Sequence, residues 1–481
     1  MPELELDLMD ATAQAELVRT GELTPTELVD AAIERAEARN PALNAIIHPR
    51  YERARGEAAR VTDGPFPGVP IVVKDHDGPM GGEPYHHGNR VLRDLGYVAD
   101  HDSWLIAKLR AAGFVVIGKT NAPELGLLPT TEPAAYGPSR NPWDTNRSPG
   151  GSSGGTGAAV AAGIVPVGHA GDGGGSIRIP AGMCGLVGLK PTRGRVSLGP
   201  DEGQAWDGLV VRHVLTTSVR DSAAVLDLLA GPMPGDPYTA PPPARPFLES
   251  VGAAVPQLRI GLRTTAPDNA CPVDPACAAA AEDAARLLES LGHAVEPASP
   301  AGLDEGDLAS MYVVITATAV ARDLSEISAI AGRALTHDDV EHLTWAFAEM
   351  AAGFGAAAHA EAVDSAHAWS RRVAEWWAGP DDQGYDLLLT PTLAAPTPLI
   401  GAVDGNHRDP ASTLLGAIPY AAFTLVWNVT GQPAISLPLG EVDGLPLGVQ
   451  LVAAAGGEPL LLAVAAQLEE AQPWRDRRPP R

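Results

Sequence analysis

Two short segments rich in glycine and serine constrain this chain more than any other feature. Residues 147–156 read RSPGGSSGGT, and residues 171–180 read GDGGGSIRIP. A flexible loop is the simplest interpretation of such segments. However, apolar stretches flank both of them: residues 158–162 predict a helix, and residues 164–167 predict a strand. Glycine this dense beside regular elements indicates unusual backbone angles or a close approach of the backbone to a ligand.

Consecutive glycine N–H groups can converge into a concave site for an anion, either a phosphate or the oxyanion of an acyl-transfer intermediate. Neither segment contains GxxxxGK[ST], and no GxGxxG opens a helix that is followed by an acidic residue at dinucleotide-site spacing. Ser176 directly ends the second glycine run. The pattern therefore favours an oxyanion site beside a serine.

Two other hydrolytic arrangements are less favoured. Residues 151–155 satisfy GxSxG, which would make Ser153 the nucleophile of an elbow, but an elbow needs a strand immediately before it. Pro149 and its glycine neighbours predict a loop there instead. His86 and His87 are adjacent, and no HExxH or Cys/His ligand spacing is present. We therefore expect neither a metal nor a cofactor.

The local patterns predict an α/β fold. Residues 68–75 predict a short buried strand that ends at Lys74, and a helix over 103–112 leads into a strand over 114–118. Thr24 is the predicted N-cap of a helix, because Glu27 lies three positions later and can complete a capping box. We expect this helix to end before Pro41. Further helices are predicted at 221–230, at 274–291 and over most of 317–377. Helices that alternate with buried strands are typical of α/β proteins.

Charge and composition exclude several classes of partner. The chain has 34 Lys+Arg against 59 Asp+Glu, a net charge of −25 that repels nucleic acids and anionic membranes. The acidic start of the chain lacks the features of a secretory signal, and no apolar stretch approaches the roughly 18 residues of a membrane span. We expect a cytoplasmic protein with a small-molecule substrate, and the sequence is compatible with a homodimer.

Four motifs together resemble the amidase signature family. They are Lys74-Asp75 after a buried strand, GGSSGG at 150–155, DGGGSIRIPA at 172–181 and GLKPT at 188–192. The spacing of 24 residues between Ser152 and Ser176 also fits the family, and the resemblance extends from Asp10 to residue 438. It implies a single domain over 1–481, with an N-terminal helical region at about 1–60, a core at about 65–230 and a C-terminal pocket region at about 255–472. It also implies a large mixed, mostly parallel β-sheet that helices cover on both faces.

The resemblance further implies a role for each site residue. Ser176 would be the nucleophile, Ser152 a bridging serine after a cis peptide bond, and Lys74 the base. An oxyanion hole would be formed by the backbone N–H groups of Gly173, Gly174, Gly175 and Ser176. The site would be supported by the side chains of Ser153, Asp172 and Arg178. The set is chemically coherent, because a serine needs a base and burial favours an uncharged amine.

Within the family, residues 10–19, 130–133 and 428–433 resemble the 6-aminohexanoate cyclic dimer hydrolases. By similarity, a mainly apolar pocket would include Leu127, Leu128, Thr316 and Asn428. We therefore expect a linear, cyclic or aryl amide of medium size as substrate, with esters or carbamates as side substrates. The alternatives are an amidotransferase subunit that releases ammonia from glutamine for a partner, a hydrolase that prefers urethanes or esters on the same three residues, and a non-catalytic nucleotide-binding module.

One part of the glycine-rich segment departs from the family pattern. The family commonly has Gly-Thr/Ser-Asp where this chain has Ala170-Gly171-Asp172, and a third glycine follows Gly174. Since glycine adds backbone freedom, these differences predict a looser loop before Ser176.

Overall fold

A sheet of eleven strands runs through the computed structural model, which describes residues 5–306, 308–379 and 384–480. The ends of the predicted 1–481 domain lie outside these residues. The strands, in chain order, are β1 Ile46–Pro49, β2 Pro70–Lys74, β3 Val115–Thr120, β4 Val167–Asp172, β5 Val187–Lys190, β6 Val211–Thr216, β7 Arg259–Leu262, β8 Ala294–Pro297, β9 Leu387–Pro391, β10 Ala434–Val442 and β11 Leu445–Ala453. Their order across the sheet is β1-β3-β2-β4-β6-β5-β10-β11-β9-β7-β8.

The sheet is mixed, as expected, but it is not mostly parallel. Across the described strands, four neighbouring pairs are parallel (β3–β2, β2–β4, β9–β7 and β7–β8) and the other six are antiparallel. Short connections explain part of the difference. A two-residue turn at Asp443 and Gly444, both with positive φ, joins β10 to β11, and such a hairpin can pair its strands only in the antiparallel direction.

Fifteen helices accompany the sheet within the described residues. They are α1 Ala11–Arg19, α2 Pro25–Leu43, α3 Tyr51–Ala58, α4 Arg90–Leu95, α5 Trp104–Ala111, α6 Gly154–Ala161, α7 Arg178–Cys184, α8 Val219–Leu229, α9 Pro275–Ser290, α10 Leu308–Ala331, α11 His342–Ala352, α12 Ala356–Ala378, α13 Pro410–Ala421, α14 Val426–Thr430 and α15 Glu458–Ala471. None of these helices is long and apolar enough to cross a membrane.

Helices cover both faces of the sheet, as expected. Ile71 and Val73 of β2 join a core cluster with α5, α8, α9 and α15. Val72, whose side chain points to the opposite face, packs with α2 and α6. Strand β2 is therefore buried on both sides, and this burial accounts for its continuous apolar sequence.

Most helix predictions are confirmed, and the clearest errors concern element ends. The capping box of Thr24 and Glu27 is present, but α2 continues through Pro41 to Leu43, so the expected end before Pro41 is wrong. Pro41 lies in the last turn of α2, where it removes one backbone hydrogen bond, and the helix ends two residues later. Strand β4 begins at Val167, where the predicted strand over 164–167 was expected to end.

Candidate active site

Ser152 lies in a loop that leads directly into α6, and among the described residues no strand stands immediately before it. The Gly151–Ser152 peptide bond is cis. A Cβ atom on Gly151 would lie 2.3 Å from the carbonyl oxygen of Thr130, so only glycine fits at this position. Ser153 is fully buried, and its hydroxyl donates to the carbonyl oxygen of Gly171 at 3.3 Å. The nucleophile elbow is thus excluded, and Ser153 braces the loop.

Lys74 is the last residue of β2, and its amine meets Ser152. The distance from Lys74 Nζ to Ser152 Oγ is 2.8 Å, although the two residues are 78 positions apart in sequence. The same Nζ lies 2.9 Å from Oδ2 of Asp77, a partner that the sequence did not suggest. Lys74 is 1% exposed and Ser152 2%, so this contact is screened from solvent.

Ser176 lies between the end of β4 and the start of α7, and it borders the same cavity as Ser152. Its exposed fraction of 9% leaves its hydroxyl accessible from that cavity. Within the described residues, no hydrogen bond joins the hydroxyls of Ser176 and Ser152. The structure therefore brings all three predicted residues into one region and directly bonds two of them.

The backbone N–H groups before Ser176 have different partners. The N–H of Gly175 donates to Asp172 Oδ1 at 2.8 Å, so its predicted place in the oxyanion hole is wrong. The N–H groups of Gly173, Gly174 and Ser176 donate to no acceptor in the described part of the chain, and all three residues line the cavity. These three N–H groups are the donors that remain for an oxyanion.

The glycine loop is tightly packed, so the expectation of a looser loop is wrong. A Cβ atom on Gly174 would lie 2.6 Å from the hydroxyl oxygen of Tyr312, and one on Gly175 would lie 2.3 Å from Thr424 Oγ1. Gly175 also has φ 137°, a left-handed conformation that side chains rarely adopt. The hydroxyl of Thr424 donates to the carbonyl oxygen of Gly174 at 2.7 Å. Glycine here permits close packing of the loop.

A fully buried ion pair between Asp172 and Arg178 supports this loop. Arg178 donates from Nε to Asp172 Oδ2 at 3.0 Å and from NH2 to Oδ1 at 2.9 Å. Asn428 donates from Nδ2 to Asp172 Oδ1 at 2.8 Å and accepts a bond of 2.7 Å from Arg178. Asn428 does not line the cavity, so its predicted place in the pocket is wrong. Its two hydrogen-bonding groups are used to hold the ion pair.

A cavity of about 850 Å³ opens beside Ser152 and Ser176. Three of the predicted pocket residues, Leu127, Leu128 and Thr316, line it. Much of the remaining wall is apolar and comes from α10, α11 and α13: Ile327, Ile330, Phe347, Leu414, Leu415 and Ile418. Sequence reasoning missed a polar side of the wall, which is formed by His76, Asp77, Tyr85, His87, Asp201 and Glu202. A cavity of this size and lining suits an organic molecule of moderate size.

The histidines on the polar side are neutral near pH 7. Burial lowers the pKa of His76, and burial lowers the pKa of His87 to about 3. Their Nδ1 atoms lie 3.1 Å apart, so one of these nitrogens carries the proton and the other accepts it. Burial also raises the pKa of the Asp323 carboxyl at the cavity rim to about 6.

One group of side chains outside the site has atoms that a metal could use. His48, Asp75 and His86 offer ligand atoms that lie within 4.8 Å of one another. However, the ammonium of buried Lys119 lies 3.0 Å from Asp75 Oδ1 and already supplies a positive charge there. We therefore interpret Asp75 as the counter-ion of Lys119.

Residues 27–462 match the family described as Amidase. The chain belongs to this family and is an amidase, a hydrolase that acts on amide bonds. It is 46% identical to the 6-aminohexanoate-cyclic-dimer hydrolase of Pseudomonas sp. (strain NK87), over 98% of this chain and 96% of that one. The resemblance to the family and to this subgroup is thus confirmed.

Solved structures agree with this assignment. The structure of a 6-aminohexanoate cyclic dimer hydrolase complexed with substrate aligns with a TM-score of 0.95 and 44% identity, and the alignment covers 99% of both chains. A bacterial aryl acylamidase of the amidase signature family aligns with a TM-score of 0.86 and 27% identity, over 97% of both chains.

We expect Arg178→Met to destabilise the fold, because it leaves the Asp172 carboxylate buried without its cation. Breaking a buried pair in this way typically costs about 3–5 kcal/mol. Urea unfolding followed by circular dichroism measures the change in the free energy of unfolding. The matched control is Arg286→Met, which removes an exposed ion pair to Asp283 and should leave the unfolding midpoint unchanged. Equal midpoints for the two variants would show that the buried pair does not support the fold.

Proposed function

We propose that this amidase cleaves the carbon–nitrogen bond of a linear, cyclic or aryl amide of medium size through an acyl-enzyme on Ser176. Ser152 and Lys74 act as its proton relay. The hydrogen bond between Lys74 and Ser152, at the buried end of β2 and beside the cavity that Ser176 borders, is the observation that carries this proposal.

In the acylation step, the uncharged amine of Lys74 accepts a proton from Ser152, and Ser152 accepts one from Ser176. The oxygen of Ser176 then bonds to the carbonyl carbon of the substrate. The N–H groups of Gly173, Gly174 and Ser176 stabilise the negative charge on the carbonyl oxygen. The proton returns through Ser152 to the leaving nitrogen, the carbon–nitrogen bond breaks, and water later hydrolyses the ester on Ser176.

This sequence needs a hydrogen bond between the hydroxyls of Ser152 and Ser176. Rotation of the Ser176 side chain about χ1 would change the direction of its hydroxyl without moving the backbone. Catalytic hydrogen bonds often shorten only when substrate is bound. The glycine loop holds the main chain of Ser176 in place, so we expect the relay to form through movement of this side chain.

The cavity supports an uncharged substrate with a substantial apolar part. Its apolar wall can bury an alkyl or aryl group, and carboxylates outnumber guanidinium groups in its lining, which disfavours anions. Two of the similar proteins, the 6-aminohexanoate-cyclic-dimer hydrolase and the aryl acylamidase, act by name on amides of this class. Assembly into a homodimer remains a prediction.

We expect the purified chain to hydrolyse uncharged cyclic or aryl amides without ATP or a second protein. A panel of the cyclic 6-aminohexanoate dimer, linear oligoamides, anilides, carbamates and glutamine, followed by mass spectrometry, tests this expectation. Turnover of glutamine alone, and only with a second subunit present, would instead support the amidotransferase alternative.

The variant Ser176→Ala should lower kcat by at least about 10³-fold, because it removes the acyl acceptor. Folding should not change, since a single hydroxyl contributes little stability. Steady-state rates and trapping of the acyl-enzyme by mass spectrometry provide the measurements, with the exposed Ser290→Ala as matched control. An acyl adduct on a serine other than Ser176 would disprove the assignment.

The variant Lys74→Met should lower kcat by about 10²-fold or more, because the relay loses its base while the buried volume is nearly kept. Lys108→Met, which removes an amine far from the cavity, serves as the control for loss of a lysine. Single-turnover kinetics separate acylation from later steps. If Lys74→Met acylates at more than about a tenth of the wild-type rate, Lys74 is not the base.

A further inference from the structure

Asp77 and Ser152 both contact the amine of Lys74. Its Oδ2 atom lies 2.9 Å from Lys74 Nζ, while Ser152 Oγ lies 2.8 Å from the same nitrogen. Lys74 is the last residue of β2, and Asp77 follows three positions later in a turn where it has φ 66°. A non-glycine residue with positive φ is uncommon, so this turn places the carboxylate in an unusual but defined position.

The neighbouring strand leaves room for this carboxylate. Gly171 in β4 faces Asp77, and a Cβ atom on Gly171 would lie 2.3 Å from Asp77 Oδ2 and 2.6 Å from Asp77 Cγ. All three of the nearest atoms to that Cβ belong to the Asp77 side chain. Any side chain at position 171 would therefore displace the carboxylate from Lys74. The glycine that departs from the family pattern is the residue that makes this contact possible.

The groups around Asp77 keep its carboxyl ionised. Burial opposes ionisation, but the nearby side chains of His76, Lys74 and Arg212 hold the pKa of Asp77 well below its usual range. Because His76 is itself neutral near pH 7, we attribute the effect mainly to Lys74 and to Arg212, whose Nε lies 3.9 Å from Asp77 Oδ1. Arg212 in turn pairs with Glu202.

Two further histidines face this group of charges. His169 of β4 is fully buried, and neither of its ring nitrogens has a hydrogen-bond partner in the described part of the chain. Burial lowers the pKa of His169 to about 3, so its ring is neutral. His87 is neutral for the same reason and contacts His76. The carboxylate of Asp77 is thus the negative charge in direct contact with Lys74.

We propose that Asp77 is a positioning residue, which acts through Lys74: its position and its negative charge together hold the amine of Lys74 against Ser152. The inference rests on the proposed function of Lys74. A carboxylate at hydrogen-bond distance fixes the direction of the amine, which lowers the cost of aligning the relay.

Two variants test the two parts of the proposal. Asp77→Asn keeps an oxygen acceptor of similar size but removes the charge. We expect kcat to fall by about tenfold or more, with KM within about threefold of the wild-type value, because an uncharged amide oxygen holds the amine less strongly than a carboxylate does. Gly171→Ala keeps the charge but displaces the carboxylate. We expect kcat to fall by about tenfold or more, with KM within about threefold of the wild-type value.

The controls are Asp338→Asn, which changes an exposed carboxylate, and Gly355→Ala, where an added Cβ meets no atom within 4 Å. Circular dichroism checks that each variant is folded. Gly171→Ala alters a strand and Asp77→Asn a turn, so each variant tests the carboxylate independently of the other.

Three results would overturn the inference. The first is wild-type kcat in both variants, and the second is a change confined to KM, which would indicate contact with substrate. The third is loss of activity in the Gly355→Ala control to the same extent as in Gly171→Ala. Lys74→Met and Ser176→Ala, measured in parallel, show whether the role of Asp77 alone is wrong or the proposed function is wrong as well. If those two variants are inactive while both Asp77-directed variants behave as wild type, the relay stands and only the role of Asp77 is wrong.

Discussion

The buried carboxylate of Asp172 determines the shape of the segment that carries Ser176. It accepts hydrogen bonds from the N–H groups of Gly175 and Ile177 and from the side chains of Arg178 and Asn428. A charge without solvent is stable only when nearly all of its acceptor positions are filled. The loop therefore curves around Asp172, and the N–H groups of Gly173, Gly174 and Ser176 are left facing the cavity.

The relay and this loop meet because two neighbouring strands run in the same direction. Strands β2 and β4 are parallel, so their carboxyl ends lie at one edge of the sheet, where α/β proteins commonly bind ligands. Lys74 ends β2 and Asp172 ends β4. Asp77 and Gly171 lie at the same edge and face each other.

Predictions from sequence were most accurate where the cause is local. The capping box of Thr24, the strand that ends at Lys74 and the apolar lining by Leu127 and Leu128 depend on near neighbours or on hydrophobic pattern. Predictions failed where distant residues compete for a partner. Gly175 donates to Asp172 instead of facing the cavity, and Asn428 satisfies an ion pair instead of lining the pocket. Asp77 gave no local signal, since its role depends on Gly171, which is 94 positions away in sequence.

By itself the sequence predicted the α/β class from the periodicity of its apolar residues, and its short motifs indicated the family. The resemblance to that family then implied the three side chains that are proposed as the relay. Only the tertiary structure decided which N–H groups stay free, which strands pair antiparallel and which carboxylate contacts Lys74. The physical reason is that a buried polar atom must find a partner wherever the chain brings one within about 3 Å. That choice is made between segments far apart in sequence, after the sheet has brought them together.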